Sequence, residues 1–366
     1  MTQTPLVIKG SYAPHDVTFL LKPVQIAPTD IAHKERLIQS GAAHYSEMIS
    51  DERRPDARYM EIFETARAAG VDRIAREICT MARQIAQWII QGTLPQQITL
   101  CSLVRAGVPY GVLLQRELIT LGVECHHFGI SIIRDRGLDG NAIAYILEKR
   151  DVAGIMFVDG WTGKGAIAAE LQKSWRDLTG RDGVELVVLA DPGGFATLSG
   201  SQDDWLIPSG ILGANVSGLI SRSILNRDVI GAYDFHGSIP VRHLRDIDVS
   251  CAFVDQITVL AAQYRGAKGA LPEQVNTAAL QEQARACVAN IATRFNVANP
   301  NRIKPGIAEA TRAVLRRRPK QVFVRSLNDP DTAALVHLCR TDGIDIVEDA
   351  ALTGPYRALT LIEKVA

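Results

Sequence analysis

Residues 151–171, D-V-A-G-I-M-F-V-D-G-W-T-G-K-G-A-I-A-A-E-L, limit the possible folds more than any other stretch of the chain. Ile155 to Val158 is an apolar run of buried-strand length, bounded by Gly154 and Gly160. Asp159 falls where such a strand would end. Thr162, Gly163, Lys164 and Gly165 then form a tight loop, and Ala166 to Leu171 reads as the first turns of a helix. Together these make an anion site, because unpaired backbone N–H groups and the helix dipole face the ligand and glycine allows close approach. Asp159 carries the wrong charge to hold a phosphate directly. It suits sugar hydroxyls, or a magnesium ion through water. The competing reading is an ordinary strand-to-helix turn. A Walker A loop is excluded, since Val158 stands where its first glycine belongs and Gly165 where Ser or Thr must follow the lysine. The dinucleotide fingerprint G-x-G-x-x-G is absent as well.

At 366 residues the chain is long enough for two or three domains. Its formal net charge is zero, so no global pull toward nucleic acid or an acidic membrane is expected. Six cysteines lack C-x-x-C spacing, which argues against zinc ribbons and a disulfide framework. Without a signal peptide or a long apolar span, a cytoplasmic protein with reduced thiols and no membrane partner is expected.

Along the chain, G-S-Y-A-P-H-D-V-T-F-L-L-K (residues 10–22) reads as a turn and short strand, and H-Y-S-E-M (residues 44–48) as a cap in a surface cluster. Helices are expected over Tyr59 to Ala69 and Ala75 to Gln91. Ile98 to Val104 is a buried-type strand that runs into R-A-G-V-P (residues 105–109) and a helix from Tyr110 to Leu121. This second anion-type turn places a fixed guanidinium beside the loop. Val123 to Ile133 is the next strand. On it His126 and His127 must face opposite sides, so a structural histidine fits better than a ligand pair. R-D-R-G-L-D-G (residues 134–140) reads as a mobile lid or a solvated hairpin. Val184 to Ala190 is a strand ending in D-P-G-G-F-A, where an open α/β sheet puts its ligands. An apolar helix is expected within residues 205–224, and His236 is the one histidine to watch as an acid or base.

Strand, Asp, Thr-Gly loop and helix resemble the phosphoribosyl-pyrophosphate loop of phosphoribosyltransferases. Gly160 stands in place of the usual second acid, and Trp161 and Lys164 add bulk and charge. With G-S-Y…D-V-x-F-L-L-K, H-Y-S-E-M, D-G-W-T-G-K-G and I-P-S-G-I-L-x-x-x-V-S-G-L, nearly the whole chain resembles one family. It is the phosphoribosyltransferase-like family of bacterial tellurium-resistance and stress gene clusters, also labelled StiP-type cysteine protease. The resemblance implies a type I phosphoribosyltransferase-like α/β core (residues 71–250), its mostly parallel twisted sheet flanked by helices, over which the N-terminal residues 1–70 would lie as a hood or a lid. A helical connector (251–300) and a small α/β/α sandwich of pelota type (301–366) follow. It further implies phosphoribosyl pyrophosphate, or a nucleotide-like small molecule, and a base-like acceptor, with Mg2+ as cofactor. Asp159, Arg134 and Arg136 would be catalytic, through positioning and charge stabilisation. Thr162, Gly163, Lys164 and Gly165 would hold the 5′-phosphate, Arg105, Ala106 and Gly107 the pyrophosphate, and Asp191 and Gly193 the acceptor. In the tail, K-P-G-I-A-E-A-T-R resembles a kink-turn-binding helix start. Gly306 and Glu309 match, Arg312 stands for the lysine and Ala308 replaces the asparagine, so Gly306, Glu309, Arg312 and Arg316 are the RNA-binding candidates.

Two other readings stay open: a non-catalytic nucleotide sensor with an RNA-binding tail, and the cysteine protease of the family label. A protease needs a thiolate near a histidine. Only Cys251, with His236 and His243 upstream, offers one. Cys79, Cys101, Cys125, Cys287 and Cys339 sit inside helix or strand patterns, where a thiol behaves as a small hydrophobe.

Overall fold

A computed structural model describes residues 7–266 and 275–364. The central sheet has six strands: β1 (Thr18–Phe19), β2 (Gln97–Leu103), β3 (Glu124–Ile130), β4 (Ile155–Trp161), β5 (Glu185–Ala190) and β6 (Leu198–Ser201). Their spatial order is β1-β3-β2-β4-β5-β6, and every pairing is parallel. Near-continuous apolar runs such as Ile155 to Val158 require this, since a parallel strand is covered on both faces. Alternate residues divide between two cores. Ile98, Leu100, Met156 and Val158 pack on the side of α2 (Ala57–Ile90) and α3 (Val108–Thr120). Cys101, Leu103, Ile155 and Phe157 pack on the side of α4 (Gly140–Leu147) and α5 (Ala166–Thr179).

After β2 the chain turns outward to β3, whereas β4 lies on the other flank of β2, so the strand order reverses between β2 and β4. That reversal opens a crevice at the carboxyl ends of these strands, where open α/β sheets bind ligands. The expected alternation on β3 is present: His127 is buried between Ser102 Oγ (2.7 Å) and the Asp16 carbonyl (2.7 Å), and His126 is exposed.

Two helices intervene before the tail, α6 (Ser250–Ala261) and α7 (Thr277–Arg294); residues 267–274 of the expected connector lie outside the described residues. The tail holds β7 (Ile303–Pro305), α8 (Ile307–Arg316), β8 (Pro319–Val324), α9 (Ala333–Thr341), β9 (Ile346–Glu348) and β10 (Ala358–Ile362). Its sheet runs β7-β10-β8-β9, with β8–β9 parallel and the β10 pairings antiparallel. Helix α7 covers one face through Ala284, Cys287 and Ile291. On the other face, Ile307, Ala310 and Val314 of α8 and Leu335 and Leu338 of α9 join the same core cluster as α2 and α3. The fold class read from the sequence is therefore present: a parallel helix-flanked sheet and a small three-layer α/β/α domain. The Asp204 carboxylate also crosses the boundary, accepting from the Ile307 (3.0 Å) and Arg357 (2.7 Å) backbone N–H groups and so capping α8.

Two local expectations fail. The two helices expected around Gly70 are one helix of 34 residues. Gly70 is a packing site, since a Cβ there would lie 3.2 Å from the Trp205 ring and 3.4 Å from Pro208. The apolar helix expected within 205–224 is reduced to the turn Pro208–Ile211 and a 3-10 turn Ala214–Val216; Gly218 (φ +86°) and Leu219 (φ +54°) end it. Of the two readings of the loop after β3, the hairpin is present, Ile132–Ile133 against Gly137–Leu138. It is tied down, because the Arg134 N–H donates to Tyr45 Oη (2.8 Å) and Arg136 pairs with Glu47 (2.9 Å). H-Y-S-E-M is indeed a capped turn, in which His44 and Glu47 form a capping box over Tyr45–Glu47. Among the described residues no helix is long and apolar enough to cross a membrane.

Candidate functional site

The crevice at the strand ends is roofed by the N-terminal segment and by α8. It encloses about 460 Å³, bounded in part by Lys34, Glu52, Tyr59, Arg105, Arg222 and Arg316. A second cavity of about 230 Å³ continues from it toward Asp159 and the loop 162–165. Tyr45, Arg105, Arg134, Arg222, Glu309, Arg312 and Arg316 line both. The H-Y-S-E-M tyrosine, read from the sequence as part of a surface cluster, is thus an inner wall of the cleft.

Most charges here are already matched. Arg105, whose side chain is 1% exposed, is gripped by Glu52 through two hydrogen bonds of 2.8 and 2.9 Å, and its Nη1 also donates to the Ile220 carbonyl. Burial pushes the Glu52 carboxyl up, but the Arg105 guanidinium outweighs it and holds Glu52 down at about 2. Lys304 pairs with Glu309 (3.2 Å), and Arg317 with Glu35 through two bonds of 2.6 and 2.7 Å. Arg222 donates to the carbonyls of Tyr45 and Met48. Arg312 lies 4.6 Å over the Trp161 ring, and its Nε and Nη2 are buried without a hydrogen-bond partner.

The residues expected to hold phosphoribosyl pyrophosphate are mostly engaged otherwise. Asp159 lies within β4, not beyond it. Burial pushes its carboxyl up to about 7, against the pull of the Gly160 N–H (2.7 Å) and Arg312, so it is protonated below neutrality. Thr162 donates its hydroxyl to Asp191, which also accepts from Phe195 N (2.9 Å) and Ala196 N (2.9 Å). Asp191 thereby closes its own loop onto the loop 162–165. A Cβ on Gly193 would lie 2.2 Å from the Gly163 carbonyl, so Gly193 is packed against the loop 162–165. The Lys164 ammonium donates to the carbonyls of Pro300 and Ile303, and burial lowers it to about 7. Gly165 begins α5 at φ +80° against Phe195. Ala106 and Gly107 are packed against β4. Of the catalytic candidates, Arg134 lines both cavities, whereas Arg136 is bound to Glu47. Among the described residues no group of three or more His, Cys, Asp or Glu side chains is placed to hold a metal ion. In the tail, Glu309, Arg312 and Arg316 face the cleft, and Gly306 (φ +92°) starts α8 beside Asp204.

Asp159 gives a pH prediction. Its folded pKa is raised above the unfolded value, so its contribution to stability is present at low pH and lost as pH rises through about 7. The wild type should gain more urea resistance between pH 8.5 and 5.5 than Asp159→Asn, which is neutral at both. Equal pH dependence in urea titrations of the two proteins would refute the assignment.

All six cysteines are free thiols, and five are buried. Burial raises the thiols of Cys79, Cys125 and Cys339 to about 12 and that of Cys287 to about 11, and raises Cys101 also. Neither cavity is lined by a cysteine. Cys251, half-buried in the first turn of α6, donates its S–H to the Ser11 carbonyl (3.1 Å). Its thiol is raised by burial and by Asp255, Asp248 and Asp16. The upstream histidines are elsewhere: His236 is buried against Ser131 Oγ (2.7 Å), and His243 is bonded to the Glu52 carbonyl (3.0 Å). Four residues beyond Ser11 stands His15, 81% exposed, its Nε2 3.7 Å from Asp16 Oδ1. Sequence reasoning missed it, because only the fold brings residues 11–16 to the start of α6.

Comparison with known proteins agrees with part of this and corrects part. Residues 10–258 match the family model described as tellurite-like stress resistance cysteine protease StiP, and residues 282–364 match a PELOTA RNA binding domain. A relative from Acinetobacter baylyi, named cysteine protease StiP, is 45% identical over 99% of this chain and 97% of its own length. Among solved structures, the hypoxanthine phosphoribosyltransferase of Trypanosoma cruzi aligns over 35% of this chain and 70% of its own, with 15% identity and TM-score 0.27. The corresponding enzyme of Leishmania tarentolae covers 34% of this chain and 76% of its own, with 15% identity and the same TM-score, 0.27. Likenesses so partial carry no argument. The expected transferase chemistry, with phosphoribosyl pyrophosphate as donor, is overturned by the family model and the relative, both named for a cysteine protease. The committed hydrogen bonds of Thr162, Lys164, Asp191 and Arg136 give the physical side of the correction. By a model spanning most of its length and by a relative matched end to end, the chain belongs to the StiP family of tellurite-like stress resistance proteins.

Proposed function

We propose that this chain is a cysteine peptidase, as the names of its family and relative state, and that Cys251 is its nucleophile. One observation carries the assignment: Cys251 is the one described cysteine that is not buried, and it is bonded to the turn that presents His15 and Asp16. In this reading the exposed His15 ring swings onto the sulfur and takes its proton. Sγ then adds to the scissile carbonyl and the C–N bond breaks, with the amine leaving with that proton. Water hydrolyses the resulting thioester and restores the thiol. Asp16, fully buried and held by Arg116 (2.7 and 2.8 Å), positions the imidazole. Six free thiols suit a reducing, cytoplasmic setting.

Because the Cys251 thiol is raised, the thiolate fraction grows with pH, so hydrolysis should climb from pH 7 to 9 and beyond. The test is release of fluorescent peptides from labelled casein under reducing conditions. Cys251→Ala should abolish it and His15→Ala reduce it by at least 100-fold, while Cys339→Ala, in a buried control position, should only lower stability. Undiminished hydrolysis by Cys251→Ala would sink the assignment. No hydrolysis by the wild type at any pH would sink the peptidase reading itself.

A further inference from the structure

The cleft between the strand ends and α8 holds more cationic charge than the chain neutralises, and the surplus is concentrated on two side chains. Arg312 and Arg316, one helical turn apart on α8, point into the cavity. Among the described residues neither forms an ion pair, and Arg316 forms no hydrogen bond. Both guanidinium groups are lowered, first by burial and then by the neighbouring Arg105, Arg312 to about 10 and Arg316 to about 9. The carboxylates that face them are Glu52, Glu309 and Asp159. Glu52 is bound to Arg105, Glu309 to Lys304, and burial raises Asp159 to about 7, which leaves it partly protonated at neutral pH. Arg222 and Lys34 complete the cationic wall opposite. Lys34 donates to Ser50 Oγ (2.6 Å) and Arg222 only to carbonyl oxygens, so neither is bonded to a carboxylate, and burial lowers them to about 8 and about 10.

Burying several guanidinium groups without counter-charge costs stability, and a chain retains such a cost where a ligand relieves it. Arginine forks with buried, unsatisfied N–H groups match the paired oxygens of phosphate. A cavity of about 460 Å³ has the size of a small-molecule site. We propose that this cleft binds a small molecule carrying two or more linked phosphate groups, gripped by Arg312 and Arg316 of the tail domain and by Arg222 and Lys34 of the body. This inference is independent of the peptidase reading, since no cysteine lines the cavity. It is also distinct from the loop 162–165, whose lysine and threonine are already bonded within the chain. A nucleic-acid duplex is disfavoured because both arginines lie inside the cleft, beneath the segment 45–56.

Tripolyphosphate, pyrophosphate and orthophosphate are the probes, titrated calorimetrically into the full chain and checked by thermal unfolding. The expected result is saturable binding in the order tripolyphosphate, pyrophosphate, orthophosphate, with a rise in melting temperature because the ligand bridges body and tail. Arg312→Gln and Arg316→Gln should each weaken tripolyphosphate at least 10-fold, and Arg316→Gln should melt higher than wild type without ligand, because a repulsive charge is gone. Arg318→Gln, an exposed position paired with Glu363, controls for net charge and should bind as wild type does. Arg316→Lys, which keeps the charge without the fork, should bind between the two. Absence of saturable tripolyphosphate binding, or equal loss in Arg318→Gln and Arg316→Gln, would overturn the proposal. So would a short RNA that binds more tightly than tripolyphosphate and is unaffected by Arg312→Gln.

Discussion

Glu52→Gln should destabilise the protein by roughly 3–5 kcal/mol, the cost of leaving a buried charge without its partner. Arg105 is 1% exposed and follows β2 directly, so its guanidinium cannot move to water when the carboxylate is removed. Arg312 and Arg316 also depend on Glu52 for partial neutralisation, which adds to the loss. The pH dependence has a definite sign. The folded pKa of Glu52 is depressed to about 2 from an unfolded value near ~4.3, so its contribution is complete above that value and lost as pH falls toward 2. Urea midpoints measured from pH 7 to 2.5 should fall less steeply for Glu52→Gln than for wild type. A variant as stable as wild type at pH 7 would show that the pair is not structural.

Gly107→Ala should be comparably severe, at roughly 3 kcal/mol or more, because the clash is with backbone and no rotamer relieves it. A Cβ at Gly107 would lie 2.0 Å from the Val158 carbonyl oxygen and 3.0 Å from Asp159 Cα. Relief requires β2 and β4 to separate at the point where the strand order reverses, which would also displace Arg105. Chemical denaturation should therefore show a lowered midpoint together with weakened tripolyphosphate binding. Gly41→Ala, at a helix end with nothing near its Cβ, is strained only by its φ of +73° and should cost about 1 kcal/mol. Similar losses at the two positions would refute the close-packing account.

These two sites also mark what the sequence could disclose. The strand, loop and helix units around Arg105 and Asp159 were legible because buried strands and glycine turns leave local signatures. So was the alternation of His126 and His127, which depends only on strand period. The chemistry of those loops was not legible, because Thr162, Lys164 and Asp191 are occupied by partners distant in sequence, such as Pro300 and Ile303. Gly70 reads as a helix break until Trp205 and Pro208 are seen against it. Arg312 and Arg316 read as an outer face for RNA, since periodicity cannot tell which side of α8 meets another domain. Likewise the histidines near Cys251 in sequence are His236 and His243, whereas the turn that meets its thiol, carrying His15, arrives from the other end of the chain.

The central claim is that Cys251 is the working thiol, and one measurement addresses it directly. The folded protein is inactivated with a peptidyl epoxide that alkylates peptidase thiols, and the modified cysteine is then identified by peptide mass mapping. The account predicts a single adduct, on Cys251, formed faster as pH rises and in step with loss of casein hydrolysis. Inactivation with Cys251 unmodified, or an adduct on another of the six cysteines, would contradict it.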